Sequence, residues 1–242
     1  MDIKGKTALV LASSQGFGFA IAKTFKEAGA AIILQSRGGA RLKDAAASLG
    51  CHYSAWDLGD ENATAKNICY LQDHYGPIDI IVTNCGGPKM GGILDLTATD
   101  WRVGAQSIFM SVIEAVNATA PLMQKRGNGR IILNLSVTAK EPIPNLALSN
   151  VYRSALLAMT KTLSFELASS GTTVNAILPG YINTDRLAAF KGQVGNLKKS
   201  IPMGDFGRPK DLAQLALFLA SDAGQYITGQ AITCDGGLTK SI

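Results

Sequence analysis

Leu11-Ala12-Ser13-Ser14-Gln15-Gly16-Phe17-Gly18 decides the fold, because an apolar run ends where this stretch begins and an amphipathic helix starts where it ends. Upstream, Thr7-Ala8-Leu9-Val10-Leu11-Ala12 is continuously apolar over a strand's length, as expected of a central strand buried on both faces of a parallel sheet. Downstream, Ile21, Ala22, Phe25 and Ala28 recur at helical spacing. The turn therefore joins a buried strand to a helix N-terminus, whose unpaired N–H groups and dipole suit an anion such as a pyrophosphate. Gly16 and Gly18 let backbone and ligand approach closely and let the helix pack on the strand. On this stretch alone a plain tight turn is the alternative.

The 242 residues suffice for one large core, so a single domain over 1–242 is expected. The composition is 47% hydrophobic, yet no apolar run reaches the roughly 18 residues of a membrane span, and Met1-Asp2-Ile3-Lys4 leads straight into the first strand. No membrane association and a cytoplasmic location are the expectations. Cys51, Cys69, Cys85 and Cys234 lack any Cys-x-x-Cys spacing and His52 stands apart from His74, which argues for reduced thiols and against a metal site. The net charge of +5 is spread along the chain with no basic cluster beyond Lys198-Lys199, so no nucleic-acid partner is expected. A mild positive field suits an anionic small molecule.

Strand and helix patterns alternate almost without interruption. Strands are expected at 31–35, around 53–55, at 78–83, 130–135, 173–178 and 231–233. Helices are expected at 41–49, about 61–75, about 100–126, about 149–168 and after Pro209, with an irregular stretch from Pro179 to about Gly207. That order implies an α/β, doubly wound parallel sheet, a Rossmann fold with helices on both faces. Ligands of such sheets sit at the carboxyl ends of the strands. Ser36-Arg37, Asp57-Leu58, Asn84-Cys85-Gly86-Gly87, Ser136 and Pro179-Gly180 all follow strands.

With these markers in order, the chain resembles the short-chain dehydrogenase/reductase family over nearly its whole length. The family's Thr-Gly-x-x-x-Gly-x-Gly turn aligns with residues 11–18, with Leu11 and Ala12 in place of Thr and Gly. Asn-Asn-Ala-Gly aligns with Thr83-Asn84-Cys85-Gly86, and Pro179-Gly180-Tyr181-Ile182-Asn183-Thr184-Asp185 matches the Pro-Gly loop. Thr228-Gly229-Gln230 and Asp235-Gly236-Gly237 match the closing strand. The resemblance implies a nicotinamide cofactor held by Ser13, Ser14, Gln15, Gly16, Phe17 and Gly18 at the pyrophosphate, by Asp57 and Leu58 at the adenine, by Asn84 and Gly86, and by Pro179, Gly180, Ile182 and Thr184 at the carboxamide. The family's acid at the end of strand two is Ser36 here, followed by Arg37, a pair that accommodates a 2′-phosphate and favours NADP(H). A solvated surface arginine is the alternative for Arg37, and an exposed loop aspartate for Asp57.

The resemblance breaks at the proton-delivering residues. The family pairs a serine with Tyr-x-x-x-Lys. Taking Tyr152 as that tyrosine sets Leu156 at the lysine position and lengthens the separation from Ser136 to sixteen residues. Anchoring on Lys161, Leu163 and Glu166 instead sets Ser149 at the tyrosine and Arg153 at the lysine, thirteen residues beyond Ser136, with no insertion. The second alignment is preferred. It leaves Ser136 as donor to the substrate oxygen and Arg153 as the cation at the ribose or alkoxide, while Ser149 is a far weaker acid than a phenol. The family's helical asparagine falls near Ile108. Tyr152, one turn beyond Ser149, is a candidate replacement acid, or simply packs at the helix surface.

Residues 140–148 line a partly apolar substrate pocket or form a packed loop, and a lid is expected at about 186–206. Lys191, Lys198 and Lys199 meet an anionic substrate or form a solvated face. The expected function is an NADP(H)-dependent oxidoreductase interconverting a carbonyl and an alcohol on a small to medium, partly apolar molecule, in a homo-oligomer, dimer or tetramer. A lyase or isomerase on the same scaffold and a catalytically inactive nucleotide-binding subunit are the alternatives.

Overall fold

The structure is a computed structural model describing residues 1–185, 187 and 194–241. The chain runs β1 (Thr7–Val10), α1 (Gly16–Glu27), β2 (Ala31–Ser36), α2 (Ala40–Leu49), β3 (His52–Ala55), α3 (Ala63–Tyr75) and β4 (Ile80–Thr83). It continues through α4 (Ala98–Gly104), α5 (Ser111–Arg126), β5 (Gly129–Asn134), α6 (Ala147–Leu167), β6 (Thr172–Pro179), α7 (Val194–Ser200), α8 (Pro209–Ala220) and β7 (Ala231–Cys234). Seven strands form one sheet in the order β3-β2-β1-β4-β5-β6-β7, and every pairing is parallel. Connections leave β1 in both directions, so the carboxyl ends of β1 and β4 bound the crevice where the strand order reverses.

Alternation along β1 explains its unbroken apolar sequence. Leu9 faces a core shared with α3, α5 and α6, while Ala8 and Val10 face a second core under α1, α2 and α8. Phe25 of α1 is wholly buried in that second core, which contributes about 1.5–3 kcal/mol.

Three elements differ from expectation. The helix expected over 100–126 begins at Ala98 and is interrupted by a π-helical segment, Ala105–Met110, that buries Ile108. Gly104, just before it, approaches α6 so closely that a Cβ would lie 3.1 Å from Leu148. Helical periodicity continues through an i→i+5 turn with little change of pattern, so the sequence does not announce it. The stretch expected to be irregular after Pro179 contains α7, and residues 186 and 188–193 of the expected lid lie outside the described residues. Finally, α6 begins at Ala147, two residues before the expected start near 149, and its first two residues, Ala147 and Leu148, are buried with Leu96 against Trp101 and Tyr152.

Candidate active site

The turn after β1 is stitched to its neighbours from below. Leu11 N–H donates to Val82 at 3.0 Å, and the Asn84 amide donates to the Ala12 carbonyl at 3.2 Å. The buried Gln35 side chain takes the Ala12 N–H on Oε1 at 2.9 Å and donates from Nε2 to the Trp56 carbonyl at 2.8 Å. One amide thus fixes the exits of β1, β2 and β3 together. Ala12 adopts φ +47°, the left-handed region where the family has glycine. Ser13 turns inward and is fully buried, its hydroxyl donating to Val10 at 2.7 Å and accepting from Gln35 N–H at 3.0 Å. Its side chain is therefore a clamp on β2, and only its backbone borders the ligand crevice.

Beyond Ser13 the turn opens outward. Gln15 and Gly16 are exposed, Gly16 has φ +58°, and no side chain caps α1. Gly18 rests on the turn, where a Cβ would come within 2.6 Å of the Ala12 carbonyl oxygen. An uncapped twelve-residue helix that opens on exposed Gly16 and is held close to the turn at Gly18 fits a dinucleotide pyrophosphate. Thr184 hangs over the same turn, its Cγ2 4.0 Å from where a Gly16 Cβ would stand. Ile182 is buried and bridges to Gly207, and Asn183 N–H donates to Gly207 at 2.8 Å, so the Pro179-Gly180 loop is held across the crevice.

At the adenosine end, Ser14 and Ser36 hydroxyls lie 3.1 Å apart. Arg37 is exposed, and the four ion pairs among the described residues all lie elsewhere. Arg41, on the first turn of α2, donates to the Gln15 side chain and brings a second guanidinium to this end of the crevice. Asp57 is exposed and accepts from Gly59 N–H at 2.9 Å, while the Leu58 side chain belongs to the core. Gly86 faces open space.

The catalytic candidates divide into two groups. Ser136, half-buried after β5, accepts from Thr138 N–H at 3.2 Å, which leaves its own proton to donate. Ser149 is buried, 3.0 Å from the Thr138 hydroxyl, and accepts from Arg153 Nε at 3.1 Å. Arg153, only 5% exposed, donates from one terminal nitrogen to the carbonyls of Leu135 at 2.7 Å and Asn134 at 3.3 Å, and from the other to the Cys85 sulfur at 3.5 Å. Four of its five N–H groups are thereby committed to the ends of β4 and β5 and to α6.

Tyr152 belongs to neither arrangement. Its hydroxyl donates to the Trp101 carbonyl at 2.8 Å, its ring meets the Trp101 indole edge-on, and burial pushes the phenol up from its ordinary value. The proton that a replacement acid would deliver is committed to α4, on the packing side of the helix.

Sequence reasoning missed Gln35, Arg41, Thr138 and Cys85 as members of the site. A polar residue closing the apolar run Ile32-Ile33-Leu34 was the available signal for Gln35. Arg41 and Thr138 depend on which loops meet, which no local pattern reports, whereas Cys85 stands in the stretch after the fourth strand that the sequence singles out.

The chain matches the family described as enoyl-(acyl carrier protein) reductase over residues 11–239. Human dehydrogenase/reductase SDR family member 4 is 33% identical over 97% of this chain and 88% of its own length. Oxidoreductase UcpA of Escherichia coli K12 is 34% identical, covering 98% and 95%. The solved L-sorbose reductase of Gluconobacter frateurii, complexed with NADPH and L-sorbose, superposes with a TM-score of 0.91 at 30% identity, covering 100% of this chain and 99% of that one. Sheet order, glycine turn, Pro-Gly loop and these matches agree, and the chain belongs to the short-chain dehydrogenase/reductase family.

Proposed function

We propose that the protein is an NADP(H)-dependent oxidoreductase that interconverts a carbonyl and an alcohol on a small to medium substrate. The observation that carries the cofactor choice is the end of β2, where Ser36 replaces an acid and the Arg37 guanidinium is exposed outside every ion pair among the described residues. An acid there would accept from ribose hydroxyls, whereas a guanidinium favours a phosphate at the 2′ position. Arg41, across Gln15, adds to that field. The NADPH named for the sorbose reductase complex supports the same reading.

When bound, the nicotinamide supplies the hydride. The chain's own residues then do four things. Backbone from Ser13 to Gly18 and the α1 N-terminus hold the pyrophosphate, Asp57 and the Leu58 backbone border the adenine, and Asn84 and Gly86 flank the cofactor after β4, Asn84 by bracing the turn at Ala12. Pro179, Gly180, Ile182 and Thr184 orient the carboxamide. Ser136 donates to the substrate oxygen as charge develops there, its own oxygen already engaged by Thr138 N–H. Arg153 keeps one N–H for the ribose or the oxygen, and Ser149 steadies its guanidinium.

A cleft of about 580 Å³ beside Thr184, walled by Leu187, Phe206, Lys198 and Asp205, supports a partly apolar, partly polar substrate. Exposed Val103, Met110, Val151 and Phe165 on and between α4, α5 and α6 support packing against a second copy, which light scattering tests. Nicotinamide absorbance during a screen of ketones, aldehydes and alcohols tests the reaction class. NADPH consumption matched by alcohol formation is expected. Tight NADPH binding with no turnover on any carbonyl or alcohol would transfer the chain to non-redox chemistry or to a binding role.

A further inference from the structure

Ala12 holds a left-handed backbone, φ +47°, with a Cβ attached, so something besides intrinsic preference must keep the turn in place. Side chains grip both of its peptide groups. The Asn84 amide, which itself accepts from Asn134 at 3.0 Å, donates to the Ala12 carbonyl. The Ala12 N–H donates to Gln35 Oε1, Gln35 Nε2 donates to the Trp56 carbonyl, and the Trp56 indole N–H donates to Thr64 at 3.2 Å. An N–H can only donate and a carbonyl can only accept, which fixes the Gln35 amide in one orientation. Every donor in this series points from β5 toward α3, so each bond polarises the next. Gln35 is only 1% exposed, and an amide buried that deeply is costly unless both of its ends are bonded. The backbone ladders to β1 and β3 already pair β2 without it. Its two side-chain bonds go instead to residues just past the strand ends, Ala12 after β1 and Trp56 after β3. Those residues open the pyrophosphate turn and the Asp57-Leu58 loop.

Resting on the cofactor reading above, we propose that Gln35 is a positioning residue for the dinucleotide. Its amide holds Ala12 in the conformation that glycine adopts unaided, and it ties the phosphate turn to the adenine loop so that both meet the cofactor in one register. Gln35 touches no reacting atom. Its loss should therefore act on cofactor binding and much less on the chemical step.

A double-mutant cycle tests this: wild type, Gln35→Met, Ala12→Gly and the double variant, each shown to be folded by circular dichroism and titrated with NADPH by fluorescence. Gln35→Met should weaken NADPH binding about tenfold or more, since a group displaced by about 1 Å can cost about 100-fold. In the Ala12→Gly background the same substitution should cost about threefold or less, because glycine needs no acceptor to stay left-handed. At saturating NADPH the kcat of Gln35→Met should fall by less than about threefold while KM for NADPH rises about as far as the affinity falls. Gln35→Asn, one methylene short of reaching both partners, carries the same cycle if the methionine variant does not fold. Equal losses in the two backgrounds, an affinity within about twofold of wild type, a kcat that falls as far as KM rises, or variants that fold in neither background each overturns the proposal. Wild-type protein that binds neither NADPH nor NADH overturns the cofactor reading itself, and this assignment with it.

Discussion

Replacing Arg153 with methionine measures what a buried guanidinium does when its four partners are neutral. A buried ion can often be exchanged for an apolar side chain at little cost, provided the groups it served are exchanged as well. Here they stay: the Leu135 and Asn134 carbonyls belong to the end of a buried strand and cannot turn to water. Losing donors to buried carbonyls costs about 1–3 kcal/mol each. Ser149 keeps Thr138 as a partner and a thiol is a weak acceptor, so those two add little. Arg153→Met should therefore lose about 3 kcal/mol, which for a chain of this size lowers Tm by about 6–12 °C. Arg153→Lys retains the charge and three donors without the planar fork, and should lose about 1–2 kcal/mol. Urea unfolding with a common m-value is the assay. A methionine variant as stable as wild type would refute the claim that this guanidinium secures the ends of β4 and β5.

Ala12→Gly should stabilise the protein by about 0.5–1 kcal/mol. The left-handed φ of +47° costs alanine about 1–2 kcal/mol, and glycine returns about 0.4–1 of that through unfolded-chain entropy. Loss of stability in thermal melts would mean that the alanine methyl is a needed contact. At α4, the Lys89 hydrogen bond above all, with those donated by the Thr97 N–H and hydroxyl, holds Asp100 at about 2. A depressed carboxyl stabilises fully above its unfolded value near 3.9 and loses that contribution as pH falls toward 2. Asp100→Asn should accordingly flatten the stability profile between pH 4 and about 2 relative to wild type, and identical acid limbs would contradict the assignment.

The fold was legible because its signals are local and repeated. Apolar runs of strand length alternate with helical periodicity, and Gly16 and Gly18 sit where a buried strand gives way to a helix. The orientation of side chains at the site was not legible in the same way. Ser13 looks like a phosphate ligand in sequence, yet its hydroxyl finds Val10 and Gln35 because the turn brings it beneath β2. The charge at Arg153 could be read, but its engagement with Leu135, Asn134 and Cys85 depends on how α6 crosses the ends of β4 and β5. Tyr152 lies one turn from Ser149 in sequence and on the opposite business of packing α6 against Trp101 in space. At Ala12 the sequence showed only that an alanine stands where the family has glycine, and the structure adds that its backbone is left-handed, at φ +47°.

The most direct test of the cofactor reading is a pair of fluorescence titrations, NADPH and NADH, on wild type and Arg37→Ala. A charge-assisted phosphate contact is worth about 1.5–3 kcal/mol, so wild type should bind NADPH at least about tenfold more tightly than NADH. Arg37→Ala should erase most of that preference while leaving NADH affinity within about twofold. Equal affinity of the wild type for both cofactors, or a substitution that weakens both alike, would contradict it.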